Sequence, residues 1–170
     1  MAELDPGAAA VLEMIRLAGA PPLETLPPAE ARLASAQSRR ALAPDPAEIS
    51  EIRPLTAEGP HGPIPMRLYR DGEQAGLRPC LVYFHGGGWV IGDLDSHDPV
   101  CRAIAKESGA VVISVDYRMG PEVKFPAAVD DAIAATGWIA AHAASLGIDA
   151  RQISVGGDSA GGNLAAVLAI

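Results

Sequence analysis

Two kinds of hydrophobic periodicity divide the chain near residue 46. Ahead of that point Ala8, Val11, Leu12, Ile15 and Ala18 recur at three- and four-residue spacing, the signature of one apolar helix face. Asp5 and Pro6 supply an N-cap and a first-turn proline, and Gly19 supplies a stop. A second helix is expected from about Pro28 to Leu42, ending before Pro44 and Pro46, with a weaker stripe that includes Leu33. The prolines that punctuate this stretch mark residues 1–45 as an appendage to the core, which occupies residues 46–170.

From Glu48 the pattern changes to strands. Glu48 to Leu55 and Ile64 to Tyr69 read as the first two, and Met66 and Leu68 alternate against Arg67 and Arg70 as in a half-exposed strand. Cys80 to Phe84 and Ala110 to Val115 are unbroken apolar runs, as expected of parallel strands covered on both faces. A helix capped by Ser96 or Asp95 runs through Lys106 to Gly109, and a long one is predicted from about Pro126 to Leu146. In the long helix Val129, Ile133, Thr136, Ala140 and Ala143 share one face, with Asp131, Trp138 and His142 on another. Ile153-Ser154-Val155 forms a further short strand, followed by an alanine-rich helical pattern. Strand and helix in alternation imply an α/β fold with a mostly parallel central sheet flanked by helices.

Composition narrows the function classes. Of 170 residues, 49% are apolar and 20% charged, enough for one sizeable core. Thirteen basic against twenty-one acidic residues leave a net charge of −8, which disfavours nucleic-acid partners and anionic membrane surfaces. The N-terminus has no cationic, apolar leader pattern, and no stretch is long enough to span a bilayer, so the expected setting is the cytoplasm. Cys80 and Cys101 lack both disulfide-framework and zinc-ligand spacing and read as reduced core thiols; no metal or cofactor is expected.

Two motifs carry chemistry. Gly157-Asp158-Ser159-Ala160-Gly161 follows the Ile153-Ser154-Val155 run and opens a helical pattern. In such a G-x-S-x-G turn the glycines let strand and helix approach while the serine takes a strained conformation that exposes its Oγ. His85-Gly86-Gly87-Gly88 directly follows the strand ending at Phe84. Attack of a serine on an ester carbonyl develops an alkoxide, and N–H groups of Gly86, Gly87 and Gly88, with that of Ala160, can be aimed at it. Neither glycine motif has a Walker lysine or G-x-G-x-x-G spacing, which argues against phosphate binding.

His85-Gly86-Gly87-Gly88-Trp89, Asp116-Tyr117-Arg118-Met119-Gly120-Pro121-Glu122, Phe125-Pro126-Ala127-Ala128 and Gly157-Asp158-Ser159-Ala160-Gly161-Gly162, in that order, resemble the hormone-sensitive-lipase-like branch of the α/β-hydrolase esterases. The resemblance covers about residues 50–170. It implies the first part of an α/β-hydrolase fold ending just after the nucleophile elbow, with residues 1–45 contributing helices to a cap. It implies Ser159 as nucleophile, Gly87, Gly88 and Ala160 as oxyanion donors with Gly86 as a further candidate, and His85, Asp158 and Asp116 as organisers of the loops. The implied activity is hydrolysis of short- to medium-chain acyl esters.

The family's triad continues with an acid and a histidine after the serine, and no histidine follows Ser159. Of the four present, His85 belongs to the glycine loop, His61 and His97 lie in turns and read as solvated, and His142 reads as a surface residue. The acid and base are therefore expected in a C-terminal part outside these 170 residues, and residues 1–170 alone are expected to be inactive. The expected partners are a small-molecule ester and either a second copy in a homodimer or a second chain or fragment that completes the fold. A non-catalytic ligand-binding relative, or a truncated product without function, is the alternative.

Overall fold

The computed structural model describes residues 4–73 and 75–170; Met1, Ala2 and Glu3, which open the expected 1–45 segment, lie outside the described residues. Strands β1 (Glu51–Gly59) and β2 (Gly62–Arg70) form an antiparallel hairpin closed by Pro60 and His61. β3 (Arg78–Phe84), β4 (Val111–Val115) and β5 (Ile148–Gly157) complete one five-stranded sheet of order β1-β2-β4-β3-β5. β3 lies parallel to both β4 and β5, whereas β2 meets β4 antiparallel. β1 starts and ends later than its expected span. It is an edge strand and largely exposed, so no apolar run marks its limits, and Pro54 is tolerated there because no further strand needs its N–H.

Helices cover both faces of the sheet. On one side α4 (Ala127–Ala141) and α5 (Ala160–Leu168) pack Ala132, Ala135, Ile139 and Leu164 against Val82, Phe84, Val111, Ile113 and Val115. On the other, α3 (Asp98–Ser108) sets Cys101 and Ala105 against Tyr69, Tyr83 and Val112. Both faces of β4 are thus dry, and each fully buried Val or Ile contributes about 1.5–3 kcal/mol. Cys80 and Cys101 are free buried thiols, and burial pushes both up to about 12.

The expected stripe of α4 is corrected. Ala143 is buried, but Ile133 is 54% exposed, and the buried side carries Ala127, Asp131, Ala132, Ala135 and Ile139. Alanine occurs on every side of this helix, so periodicity does not select a face; close approach to the sheet does, with small Ala132 and Ala135 inward. Asp131 can be buried because Arg118 donates to both its oxygens from Nε and a terminal nitrogen, and its backbone N–H adds a third donor. The helix also stops at Ala141, followed by a 3₁₀ turn at Ala144–Leu146 before Gly147. α3 begins later than expected, because Ser96 and Asp93 satisfy each other in a turn of their own.

The first segment forms α1 (Pro6–Ala18) and α2 (Pro28–Leu42). Asp5 Oδ1 accepts the N–H groups of Gly7 and Ala8, and Gly19 ends α1 in the left-handed region at φ 62°. No residue of α1 is buried. α2 buries Ala31 and Ser35, while Leu33 of the expected stripe is 65% exposed. Its anchor is polar: Arg32 donates from Nε to the Val90 carbonyl at 2.7 Å, to the Gly120 carbonyl at 2.7 Å, and to both Glu122 oxygens.

Candidate active site

Phe84 of β3 and Gly157 of β5 are register partners in a parallel pair, so the segments His85–Gly88 and Asp158–Ala160 leave the sheet side by side at its carboxyl edge. Ser159 is the turn residue between β5 and α5, at φ 50° and ψ −116°. A side chain in this region is strained by about 1–3 kcal/mol, and the surrounding packing has to hold it there. Two glycines make that packing feasible. A Cβ on Gly161 would sit on the Phe84 carbonyl oxygen and 2.7 Å from that of His85, and one on Gly157 would lie 2.7 Å from the Gly161 carbonyl carbon. Ser159 is solvent-exposed, and its Oγ has no hydrogen-bond partner among the described residues.

The glycine loop is fixed from beneath. His85 is fully buried and stacks on Tyr117 with ring centroids 4.5 Å apart, and the Tyr117 hydroxyl donates to the His85 carbonyl at 2.6 Å. Its Nδ1 lies 2.9 Å from the Gly86 carbonyl, which places the proton on that nitrogen. Gly87 takes φ 127° and Gly88 φ 60°, turning the loop back so that Val90 and Ile91 donate to the Gly87 carbonyl. Among the described residues the N–H groups of Gly87, Gly88 and Ala160 donate to no protein acceptor. The Ala160 N–H also belongs to the first turn of α5, where the helix dipole favours negative charge.

Gly86 differs from the other candidates. Its N–H donates to Asp158 Oδ1 at 2.9 Å and is therefore already engaged. The same oxygen accepts the Tyr83 hydroxyl at 2.9 Å and stands 3.2 Å from His97 Nε2. Burial alone would raise the Asp158 carboxyl, but the Tyr83 hydroxyl, His97 and the Gly86 N–H hold it below the usual carboxylate range. Burial dominates at His97 and lowers its pKa, despite the attraction of Asp158.

His97 is the clearest correction to the sequence reading: expected to be solvated, it is 2% exposed. Its neighbours in sequence give a polar turn, and the rings of Tyr83 and His85 together with the Asp158 carboxylate, all from other elements, enclose it. Tyr83 and Arg32 likewise escape sequence reasoning, since an aromatic in a strand and an arginine in a helix carry no local signal of what they hold; Tyr117 stands in the motif after β4, but its contact with His85 is not legible there. His61 is exposed, and His142 stacks on Trp138 at the exposed end of α4. No histidine hydrogen-bonds Ser159 among the described residues. Burial raises the Asp116 carboxyl, and Asp116 does not bond Ser159 either. Among the described residues no group of three or more His, Cys, Asp or Glu side chains could hold a metal, and no helix is long and apolar enough to cross a membrane.

A groove of about 420 Å³ runs from Gly88 and Trp89 past Val123 and Phe125 to Asn163 and Val167 of α5. It is mainly apolar and opens one helical turn from Ser159, whose carbonyl accepts the Asn163 N–H.

Known proteins share this fold. A family profile described as alpha/beta hydrolase fold matches residues 81–170, more than half the chain. The ethyl acetate hydrolase of Pseudomonas putida is 41% identical over 98% of this chain and 54% of its own length. Esterase LipI of Mycobacterium tuberculosis is 51% identical over 68% of this chain and 37% of its own. Among solved structures, the hyperthermophilic esterase of the archaeon Pyrobaculum calidifontis superposes with a TM-score of 0.92 at 41% identity, covering 99% of this chain and 53% of that one. The chain thus spans at most about half the length of these relatives.

Proposed function

The chain belongs to the alpha/beta hydrolase fold family, and on that premise we propose that it carries the nucleophile and oxyanion hole of a serine carboxylesterase. Ser159 Oγ attacks the ester carbonyl carbon while a base takes its proton. The N–H groups of Gly87, Gly88 and Ala160 receive the developing oxyanion, each such donor being worth about 3–4 kcal/mol in the transition state. The alkoxy C–O bond then breaks, the alcohol leaves with a proton, and water releases the acid from the acyl-enzyme. Gly86 is not a donor in this scheme, because Asp158 holds its N–H.

The observation that carries the reading is the strained Ser159 placed between unengaged N–H groups of the glycine loop and of α5. The base is not among the four histidines. We assign it, with the acid that orients it, to the part of the relatives' length that this chain does not span. Residues 1–45 are assigned to a cap over the site, with α2 held by Arg32, and residues 46–170 to the first part of the catalytic domain. Short- to medium-chain acyl esters fit the apolar groove beside Gly88, and the Pseudomonas relative's name points the same way.

The test is hydrolysis of p-nitrophenyl butyrate by the full-length protein. Activity abolished in Ser159→Ala supports the esterase. No hydrolysis, with the ester bound intact, supports the ligand-binding alternative and overturns the enzyme.

A further inference from the structure

We propose that His97 is a positioning residue for the Ser159 reaction: with Tyr83 it holds the Asp158 carboxylate against the Gly86 N–H and thereby sets the nucleophile's register with the oxyanion loop. The inference rests on the esterase reading above. Asp158 is covalently next to Ser159 and hydrogen-bonds the glycine loop through Oδ1, so this oxygen ties the elbow to the loop. Three donors from three elements converge on it: the Tyr83 hydroxyl from β3, the Gly86 N–H from the glycine loop, and His97 from the turn before α3.

The proton on His97 follows from its neighbours. A bare Nε2 facing an ionised carboxylate oxygen at 3.2 Å would be repulsive, so Nε2 carries the hydrogen. Nδ1 then accepts from Ser96 Oγ at 3.0 Å, which directs the single hydroxyl proton to the ring in place of the Asp93 carbonyl 2.9 Å away. Arg39 approaches Nε2 only to 3.5 Å, beyond a normal N–H···N bond. The ring is held between Tyr83 and His85 with centroids 6.1 and 5.4 Å away, and Ser96 is fixed in turn by Asp93. Asp158 needs this support because its side chain is 48% exposed, and an unsupported carboxylate there would turn to water and release Gly86. Once released, the Gly86 peptide could rotate and carry the Gly87 and Gly88 donors out of line, as misplacement by about 1 Å suffices for a large loss of rate.

The two amide isosteres of histidine separate positioning from packing. Glutamine can place its side-chain nitrogen where Nε2 stands, whereas asparagine reaches only the Nδ1 position. In the full-length protein, with p-nitrophenyl butyrate, His97→Gln is expected to keep kcat within about threefold of wild type, and His97→Asn to lose about tenfold in kcat with little change in KM, part of the 10²–10³-fold attached to a whole oxyanion donor. Tyr83→Phe, which preserves shape, is expected to lower kcat several-fold on the same grounds and provides a reading should His97→Asn fail to fold. Equal activity of all three variants and wild type, with Ser159→Ala inactive, would overturn the positioning role alone, and so would equal losses in the glutamine and asparagine variants. A Ser159→Ala protein as active as wild type would remove the nucleophile assignment and this inference together.

Discussion

Substituting alanine for one glycine at the elbow tests the close approach on which the site depends. Gly161 lies in the first turn of α5, and an added Cβ would meet the Phe84 carbonyl oxygen and come within 2.7 Å of the His85 carbonyl oxygen. Ordinary non-bonded separations are about 3.5–4.0 Å, so α5 must retreat from β3 by about 1 Å or more. The obstacle is backbone of a central strand, not a flexible side-chain end, which places the cost at the upper end of overpacking, about 3 kcal/mol. Gly137 provides the internal comparison: it is exposed on α4 with nothing within 4 Å of its Cβ position. There alanine should stabilise by about 0.5–1 kcal/mol, the helix-propensity difference. Urea unfolding followed by far-ultraviolet circular dichroism reads both signs. For a chain of this size Gly161→Ala should also lower Tm by about 6–12 °C. A Gly161→Ala protein with the wild-type midpoint would refute the steric account of the elbow.

Other consequences follow from single contacts. Arg118→Ala removes the counter-charge of the buried Asp131 carboxylate and leaves it the residue-118 N–H, and a loss of about 3 kcal/mol, the lower end for a broken buried pair, is expected in denaturant unfolding. Hydrogen bonds from Arg32 hold the Glu122 carboxyl down at about 2 from an ordinary 4.5, so the pair's stabilisation is complete above 4.5 and vanishes as pH falls through about 2. Glu122→Gln should therefore have a lower Tm than wild type at neutral pH, and the two should converge between pH 4.5 and 2. A difference that persists unchanged at pH 2 would contradict the ion pair's role. Residues 1–170 expressed alone should hydrolyse p-nitrophenyl butyrate at no more than a small fraction of the full-length rate, since a triad without its base retains only about 10³–10⁴-fold catalysis over water.

What could be read from the chain and what could not divides along a physical line. The ends of α2 follow from Pro28 and Pro44, and the elbow from Gly157 and Gly161, because backbone constraints act locally and leave a residue signature. β3 and β4 announce themselves because burial on both faces demands unbroken apolar runs. The buried face of α4 was hidden by alanines on all sides, and β1 by its exposure at the sheet edge. His97 in a polar turn looks solvated until the fold brings Tyr83, His85 and Asp158 around it, and Gly86 looks like a fourth oxyanion donor until the same carboxylate takes its N–H. The misses at His97 and Gly86 concern contacts between residues far apart in sequence, which composition and spacing do not encode.

The most direct test of the account is covalent. Full-length protein treated with a fluorophosphonate, digested and examined by mass spectrometry, should carry one phosphonyl group on the peptide containing Ser159, in step with loss of hydrolysis. Complete inactivation with Ser159 unmodified, or with the label on another residue, would contradict the assignment of this strained turn as the nucleophile.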